Sequence, residues 1–163
     1  MTLIALLLGL CLDTLILEAR MRAHLATEHA HHIDPGAVAR AIVRSGGDAA
    51  LLAAVSWVES RHQPVMGDGG RSCGPWQQQA RYSPGYAGSH WRTPPDTICG
   101  RPVVDDRGAE CARLLTDIDY AACIAARQLA RMRPCQYNAG PSRCAVGAAY
   151  EARVLRAQEV YMP

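Results

Sequence analysis

Glu59 is the residue whose position in the chain best fits a proton donor. It lies near the end of a predicted helix that Asp48 caps, and it follows Leu52 and Val55 on the same apolar face. A carboxyl group on an apolar face is partly desolvated, which raises its pKa and keeps it protonated near neutral pH. Glu59 is therefore a candidate general acid. From its position alone, an ordinary surface glutamate in the last turn of the helix is the favoured interpretation, and the motifs that follow reverse that preference.

Two short motifs follow Glu59 and Ser60 along the chain. Residues 74–77 read Gly-Pro-Trp-Gln, and residues 137–140 read Tyr-Asn-Ala-Gly after a predicted long helix. Each motif also has a purely structural interpretation. Gly, Pro and Asn are typical of turns, and Ser60 could simply cap the helix end. Trp76 could be either a platform for a sugar ring or an anchor packed in the core.

In this order, the motifs resemble those of the soluble lytic transglycosylase domain, which is related to goose-type lysozyme. That family has a Glu-Ser pair at a helix end, a Gly-Leu-Met-Gln turn, a further helix, an Ala-Tyr-Asn-Ala-Gly turn and a closing helix that bears a Tyr. The resemblance covers about residues 34–161. Pro75 and Trp76 replace the usual Leu-Met, and Gln136 stands where Ala usually precedes the Tyr. Neither replacement removes a proton donor.

The resemblance implies a lysozyme-like helical domain that cleaves the β-1,4 bond between N-acetylmuramic acid and N-acetylglucosamine in peptidoglycan. Glu59 would protonate the leaving oxygen. As a carboxylate it would then accept the proton of the sugar's own C6 hydroxyl, which attacks C1 and leaves a 1,6-anhydro product. The residues that the resemblance assigns to substrate binding are Ser60, Gln77, Tyr137, Asn138 and Tyr150. It implies no cofactor and no metal.

Two other functions fit the same residues. Residues 67–70 read Gly-Asp-Gly-Gly and resemble the loop before the glycine turn in goose-type enzymes, so Asp68 is a candidate second carboxylate. Such a group could position water and make the chain a hydrolytic muramidase. Outside the enzymes, the alternative is a catalytically idle glycan-binding module, such as a structural part of an envelope or a virion.

The charge of the chain limits its partners. All 17 basic residues are Arg, and with 15 acidic residues they give a net charge of +2 at pH 7. A nucleic-acid binder needs clustered cations against phosphates, so this mild charge argues against that class and fits a weakly anionic wall polymer. The lack of Lys is typical of a genome rich in G and C, so the choice of Arg says little about function.

Seven cysteines indicate an oxidising compartment, because cytosolic thiols are kept reduced. Six of them lie from residue 73 onward without a C-x-x-C pair, which favours disulfides over a zinc site. These six are Cys73, Cys99, Cys111, Cys123, Cys135 and Cys144. We predict that Cys99 pairs with Cys111 and that Cys135 pairs with Cys144.

The N-terminal segment, residues 3–17, is an apolar run that Asp13 interrupts and that contains the seventh cysteine, Cys11. It lacks a basic start, so it is a poor signal peptide, and it is short for a membrane span. We expect it to serve in export or membrane contact, or to pack as a helix on the domain or on a partner. The expected location is periplasmic, membrane-anchored or extracellular, or virion-associated if the source is a phage.

The fold class is predicted to be mainly α, with long disulfide-stapled loops. Residues 1–33 form a hydrophobic helix and a linker, and residues 34–163 form the lysozyme-like domain. The linker contains three histidines that could bind a metal together with His24, but a solvated linker is the prediction because no further ligand has a clear spacing. The three are His29, His31 and His32.

The predicted helices follow from apolar periodicity and from turn residues. They cover residues 3–27, 35–44, 49–60, a short segment around Cys111, 118–132 and 146–161. Pro134 is expected to end the fifth of these helices. A helical turn is expected near residues 75–81, and the longest strand pattern is 101–105.

Overall fold

The computed structural model describes residues 3–27, 34–89, 97–140 and 142–162. These residues form seven α-helices, one 3₁₀ turn and five strands of two residues each, which confirms the mainly α class. The helices are α1 (Leu3–Thr27), α2 (Pro35–Ser45), α3 (Ala49–Ser60), α4 (Arg107–Thr116), α5 (Ile118–Leu129), α6 (Pro134–Ala139) and α7 (Cys144–Tyr161). The linker histidines His29, His31 and His32 lie outside the described residues.

Aspartate side chains start four of the helices. Each accepts a hydrogen bond from an amide two or three residues further on, and so pairs a donor that the first helical turn leaves open. Pro35 occupies the first position of α2, where its missing N–H costs nothing. The predicted starts of α2 and α3 are therefore confirmed. The four caps are Asp34, Asp48, Asp106 and Asp117.

Helix α6 corrects the expectation that Pro134 ends a long helix and that residues 137–140 form a turn. The long helix ends earlier, at Leu129, and Pro134 opens a separate short helix. Proline is favoured at the first helical position because its ring fixes φ there. The Gln136 side chain also accepts the amide N–H of Arg133 at 2.8 Å, which closes the start of α6. Most of the predicted turn is therefore helical.

A small antiparallel sheet follows α3. It consists of β1 (Met66–Gly67), β2 (Ser72–Cys73) and β3 (Gln78–Gln79), with β2 in the middle. A separate hairpin pairs β4 (Thr97–Ile98) with β5 (Arg101–Pro102). Strands of two residues are too short to show an alternating pattern, so the sequence does not predict the sheet.

Two predicted elements differ in the structure. The strand expected over residues 101–105 is reduced to β5 and an isolated bridge between Val104 and Tyr86. The helical turn expected near residues 75–81 is replaced by β3 and the 3₁₀ turn Ala80–Tyr82.

Two disulfides fasten the segments between α3 and α4 to helices, and a third joins α6 to α7. They join Cys73 to Cys111, Cys99 to Cys123 and Cys135 to Cys144. The predicted Cys135–Cys144 bond is present, whereas the predicted Cys99–Cys111 bond is wrong. It is wrong because β2 packs on α4, which brings Cys73 to Cys111, while the turn between β4 and β5 reaches α5. Three disulfides are consistent with an oxidising, exported location.

Helix α7 packs against α3, α6 and α1, and α2 packs between α1 and α5. The α3 stripe expected from the sequence faces this core, where Leu52 and Val55 are buried. Other large buried residues come from α2, α5 and α7. They include Val38, Ile42, Tyr120, Ile124, Tyr150 and Val154.

Helix α1 packs on the rest of the chain through Leu17, Met21 and Leu25, which are buried. Arg20 donates to the backbone carbonyls of Tyr161, at 2.9 Å, and of Met162, at the end of α7. Across the described residues, no helix combines the length and the hydrophobicity of a membrane-spanning segment.

Candidate active site

Glu59 lies in the last turn of α3 and is partly buried. Burial raises the pKa of its carboxyl from an ordinary 4.5 to about 7, and the nearby Asp68 carboxylate adds to the rise. Tyr150 and Arg153 act in the opposite direction, because a donating hydroxyl and a cation stabilise the ionised form. About half of the Glu59 carboxyls are thus protonated near pH 7, as a general acid requires.

Helix α3 ends just after Glu59 because Arg61 and His62 adopt left-handed backbones, with φ of 58° and 66°. The amide of His62 donates to the Ser56 carbonyl at 3.1 Å. The His62 ring is fully buried, with Nδ1 2.8 Å from the Ser56 hydroxyl and Nε2 3.1 Å from that of Tyr161. These contacts fix the last turn of α3, and with it the position of the acid.

Tyr137 of α6 and Tyr150 of α7 lie beside the Glu59 carboxyl. Burial is the main cause that raises the pKa of both hydroxyls, and Glu59 is the charged group that adds to the rise in each case. Tyr150 is 4 % exposed. Its hydroxyl interacts with Glu59 but completes no hydrogen bond of regular geometry with a described residue. A substrate atom could therefore complete the bonding of this hydroxyl.

Ser60 and Tyr137 connect the acid to the turn at residues 74–77. The Ser60 hydroxyl donates to the Pro75 carbonyl at 2.7 Å, and the Tyr137 hydroxyl donates to the Trp76 carbonyl at 2.8 Å. Both residues were predicted to contact substrate. Their hydroxyl protons are instead used within the protein, so each can offer only an acceptor to a sugar.

The turn itself is anchored by its first and third residues. Gly74 has φ 78°, and a Cβ at this position would collide with the Leu114 carbonyl, so only glycine fits. Trp76 is fully buried, and its indole N–H donates to the Leu52 carbonyl at 2.9 Å. Trp76 is therefore an anchor in the core and not a platform for a sugar ring.

Gln77 closes the turn onto the segment before β1. Its amide nitrogen donates to the carbonyls of Val65, at 2.8 Å, and Gly74, at 2.9 Å. The side-chain oxygen faces Gly67, where a Cβ would collide with it. With both amide N–H groups engaged, Gln77 can offer only this oxygen to an acetamido group, which narrows its predicted binding role.

Asn138 and Asp68 are exposed. Asn138 follows Tyr137 in α6, and its side chain has no hydrogen bond to another described residue, so it is accessible to a ligand. Asp68 lies in the turn between β1 and β2 with φ 50°, and its carboxylate accepts a hydrogen bond from Ser72 at 2.8 Å. Its negative charge adds to the raised pKa of Glu59, so it acts electrostatically on the acid.

Arg153 also belongs to the site, although nothing in the sequence singled it out. Its guanidinium lies 5.8 Å from the centre of the Tyr150 ring, and its charge lowers the pKa of Glu59. It follows Tyr150 by three residues in α7, and this spacing on one helix face is the signal that could have found it. In a chain with 17 arginines, that signal is not distinctive.

No family model, curated protein or solved structure matches the chain. The resemblance to lytic transglycosylases is thus confined to the order and types of the motif residues. Within the described ranges, no group of three or more His, Cys, Asp or Glu side chains is arranged to hold a metal ion. The chemistry of the residues around Glu59 is therefore the basis for a function.

Proposed function

We propose that the chain is a peptidoglycan lytic transglycosylase that cleaves the bond between N-acetylmuramic acid and N-acetylglucosamine. The observation that carries the proposal is a carboxyl group, Glu59, with a pKa of about 7 beside the hydroxyls of Tyr137 and Tyr150. The order of the motifs adds support. The three disulfides favour an exported enzyme, which would work where the wall polymer lies.

Glu59 would act twice in one turnover. It first donates its proton to the glycosidic oxygen as the bond to C1 breaks and positive charge develops at C1. The N-acetylglucosamine side leaves with a new 4-hydroxyl group. The Glu59 carboxylate then accepts the proton of the muramoyl C6 hydroxyl while that oxygen bonds to C1. A pKa of about 7 suits both steps, because such a group can give and take a proton near neutral pH.

Tyr137 and Tyr150 would keep this carboxyl in place. Their raised pKa values keep both phenols neutral, so they add no negative charge next to the acid. The Tyr150 hydroxyl, which has no regular partner among the described residues, is available to donate to Glu59 once Glu59 is ionised. This bond would stabilise the enzyme between the two proton transfers.

Asp68 favours a second candidate, hydrolysis of the same bond by a muramidase. Its carboxylate is exposed and close enough to raise the pKa of Glu59. A second carboxylate at such a site can activate a water molecule that attacks C1. The product would then carry a reducing end in place of the anhydro ring.

Mass spectrometry of digested peptidoglycan tests both candidates. We expect 1,6-anhydro products from the wild type and none from Glu59→Gln, whereas Glu159→Gln, which changes an exposed glutamate of α7, should keep full activity. Products with reducing ends and no anhydro sugars would show that the chain hydrolyses the bond and is not a transglycosylase. Lysis that survives in Glu59→Gln would show that the site is wrong. A wild type that binds chitooligosaccharides without cleaving any glycan would be a binding module.

A further inference from the structure

A groove apart from Glu59 opens between the sheet and α4. Its volume is about 370 Å³, which lies in the range of small-ligand sites. Apolar side chains and three arginines contribute to its surface. We name it the arginine groove, and it is lined in part by Met66, Arg71, Arg81, Arg107, Cys111 and Leu115.

The two walls of the arginine groove are joined covalently. One wall comes from the sheet and the other from α4, and the disulfide between Cys73 of β2 and Cys111 of α4 links them. Buried Ala80, from the 3₁₀ turn after β3, also contacts the groove. A ligand therefore meets a preformed surface and does not have to order it on binding.

Ring and backbone contacts hold the three guanidinium groups at the groove. Arg81 lies over the ring of Tyr82, at 4.4 Å from its centre, and Arg107 lies over that of Tyr86, at 5.6 Å. Arg71 donates to the backbone carbonyl of Asp68 at 3.1 Å. None of these contacts neutralises a positive charge.

The cations of the groove also lack carboxylate partners. Within the described residues, Arg71, Arg81 and Arg107 form no ion pair, whereas arginines elsewhere pair closely with Asp or Glu. The adjacent Asp106 is engaged as the cap of α4, where its carboxylate accepts the amide of Ala109 at 2.6 Å. Because the chain has no Lys, the presence of Arg at a position is not distinctive by itself. What distinguishes the groove is that three unpaired positive charges lie around one cavity.

The groove and the site share the turn between β1 and β2. Asp68 in this turn acts on Glu59, and Arg71, three residues later, lines the groove and binds the Asp68 backbone. A substrate with side branches is therefore the class of ligand that the two sites together would bind.

We propose that the arginine groove binds the carboxylates of the short peptide stems that peptidoglycan carries on its muramic acid residues. The choice of ligand rests on the proposed function. A stem combines alanine methyl groups with several free carboxylates, which match the apolar lining and the three guanidinium groups. The groove would thus select glycan strands that still bear their stems.

Calorimetric titration of the full chain with the free stem tetrapeptide L-Ala-γ-D-Glu-meso-diaminopimelate-D-Ala tests the proposal. We expect equal binding by the wild type and Glu59→Gln. The triple variant R71Q/R81Q/R107Q should bind about tenfold more weakly or worse, because it loses charge-assisted hydrogen bonds. The control R127Q/R156Q removes two exposed arginines of α5 and α7 outside the groove and should bind like the wild type.

A second arm uses the wild type alone, so that it does not depend on the folding of the triple variant. The tetrapeptide with its carboxyl groups amidated should also bind about tenfold more weakly or worse. The carboxylate assignment is overturned by equal binding of the two peptides, by an equal loss in the control variant, or by tighter binding of poly(glycerol phosphate) than of the peptide.

Activity assays separate this proposal from the proposed function. The triple variant should still release anhydro products from glycan strands whose stems have been removed, but should lose the preference of the wild type for stem-bearing strands. If the triple variant kept the preference for stem-bearing strands, the arginine groove would not be the site that binds the stems. If the wild type bound the peptide but cleaved no glycan, the proposed function would be wrong, whereas peptide binding by the arginine groove would still hold.

Discussion

Ser60 and Tyr137 donate hydrogen bonds to consecutive carbonyl groups of one turn, those of Pro75 and Trp76, at 2.7 and 2.8 Å. Ser60 is the chain neighbour of Glu59 at the end of α3, and Tyr137 reaches the same place from α6. The turn therefore joins two helices beside the acid. The motif resemblance assigns Ser60 and Tyr137 to sugar binding. Their hydrogen bonds also stabilise the structure around the Glu59 carboxyl.

Removal of either hydroxyl should destabilise the fold. We expect Ser60→Ala and Tyr137→Phe each to lower the free energy of unfolding by about 1 kcal/mol. The two hydrogen bonds hold the same turn. The decrease in the free energy of unfolding of the double variant should therefore be smaller than the sum of the two single decreases, by about 0.5–1 kcal/mol. Urea unfolding of the four proteins measures this coupling.

Thr116→Ala is the matched control for this cycle. Its hydroxyl also donates to a backbone carbonyl, that of Ala112 at 2.8 Å, but on the exposed side of α4. Combined with Ser60→Ala, it should give an additive effect. Full additivity of the Ser60 and Tyr137 changes as well would mean that the two residues do not act through a shared turn.

Glu59 should make the protein less stable as the pH rises. Its folded pKa of about 7 lies above the unfolded value of 4.5, so the folded state holds more protons in this window, and stability falls as the pH rises through it. Glu59→Gln removes the titration. After allowance for partial exposure, we expect this variant to be more stable than the wild type at pH 8 by on the order of 2 kcal/mol.

Guanidinium unfolding at pH 4 and pH 8 checks this expectation. At pH 4 the wild-type carboxyl is protonated and resembles the amide, so the two proteins should differ little. The exposed Glu159→Gln control should follow the wild type at both values. A Glu59→Gln variant that is less stable than the wild type at pH 8 would contradict a desolvated carboxyl.

The charges next to Glu59 should shift the pH dependence of activity in opposite directions. Arg153 lowers the pKa of Glu59, so Arg153→Gln should move the alkaline limb of the profile to higher pH. Asp68 raises that pKa, so Asp68→Asn should move the limb to lower pH, provided that Glu59 acts alone. Each shift should be a fraction of a pH unit, because both side chains are exposed.

Profiles of kcat/KM against pH for the two variants test this pair of shifts. Arg127→Gln, at an exposed position of α5, changes the net charge as Arg153→Gln does and should leave the profile in place. If both variants moved the alkaline limb in the same direction, that limb would not reflect the ionisation of Glu59. A loss of all activity in Asp68→Asn would instead favour the muramidase.

The parts of the fold that could be predicted from the sequence are those that local interactions determine. Asp34 and Asp48 cap helices through amides within three residues, so a short window of sequence contains the whole signal. The partly buried face that carries Glu59 is also local, because it follows from the spacing to Leu52 and Val55. These features were therefore predicted at the right residues.

The features that were missed depend on contacts between distant segments. Cys99 bonds to Cys123 because the turn between β4 and β5 reaches α5, and no spacing rule distinguishes this from the expected shorter loop. Trp76 is an anchor because its indole N–H donates to the Leu52 carbonyl of α3, which only the folded chain brings near. Arg153 affects Glu59 only after α7 packs on α3.

His62 should make the protein sensitive to acid. Its buried ring lies between the hydroxyls of Ser56 and Tyr161. Burial lowers the pKa of His62 from 6.5 to about 3, and the charges of His24 and Arg61 add to the decrease. Between these values the unfolded state binds more protons, so stability is lost as the pH falls below about 6.5. The loss at pH 5 should reach about 2 kcal/mol.

The opposite titration of Glu59 overlaps this window and would mask the effect in the wild type. The comparison is therefore made in the Glu59→Gln background, with unfolding free energies measured at pH 7 and pH 5. We expect His62→Gln to be less stable at pH 7, because it no longer fits between two hydroxyls, but to lose little more at pH 5. His24→Gln, which changes the ring stacked on Trp57 at 3.7 Å, removes a smaller cause of the low pKa of His62 and should keep most of the acid sensitivity, because burial is the main cause. An equal decrease with and without His62 would assign the sensitivity to another group.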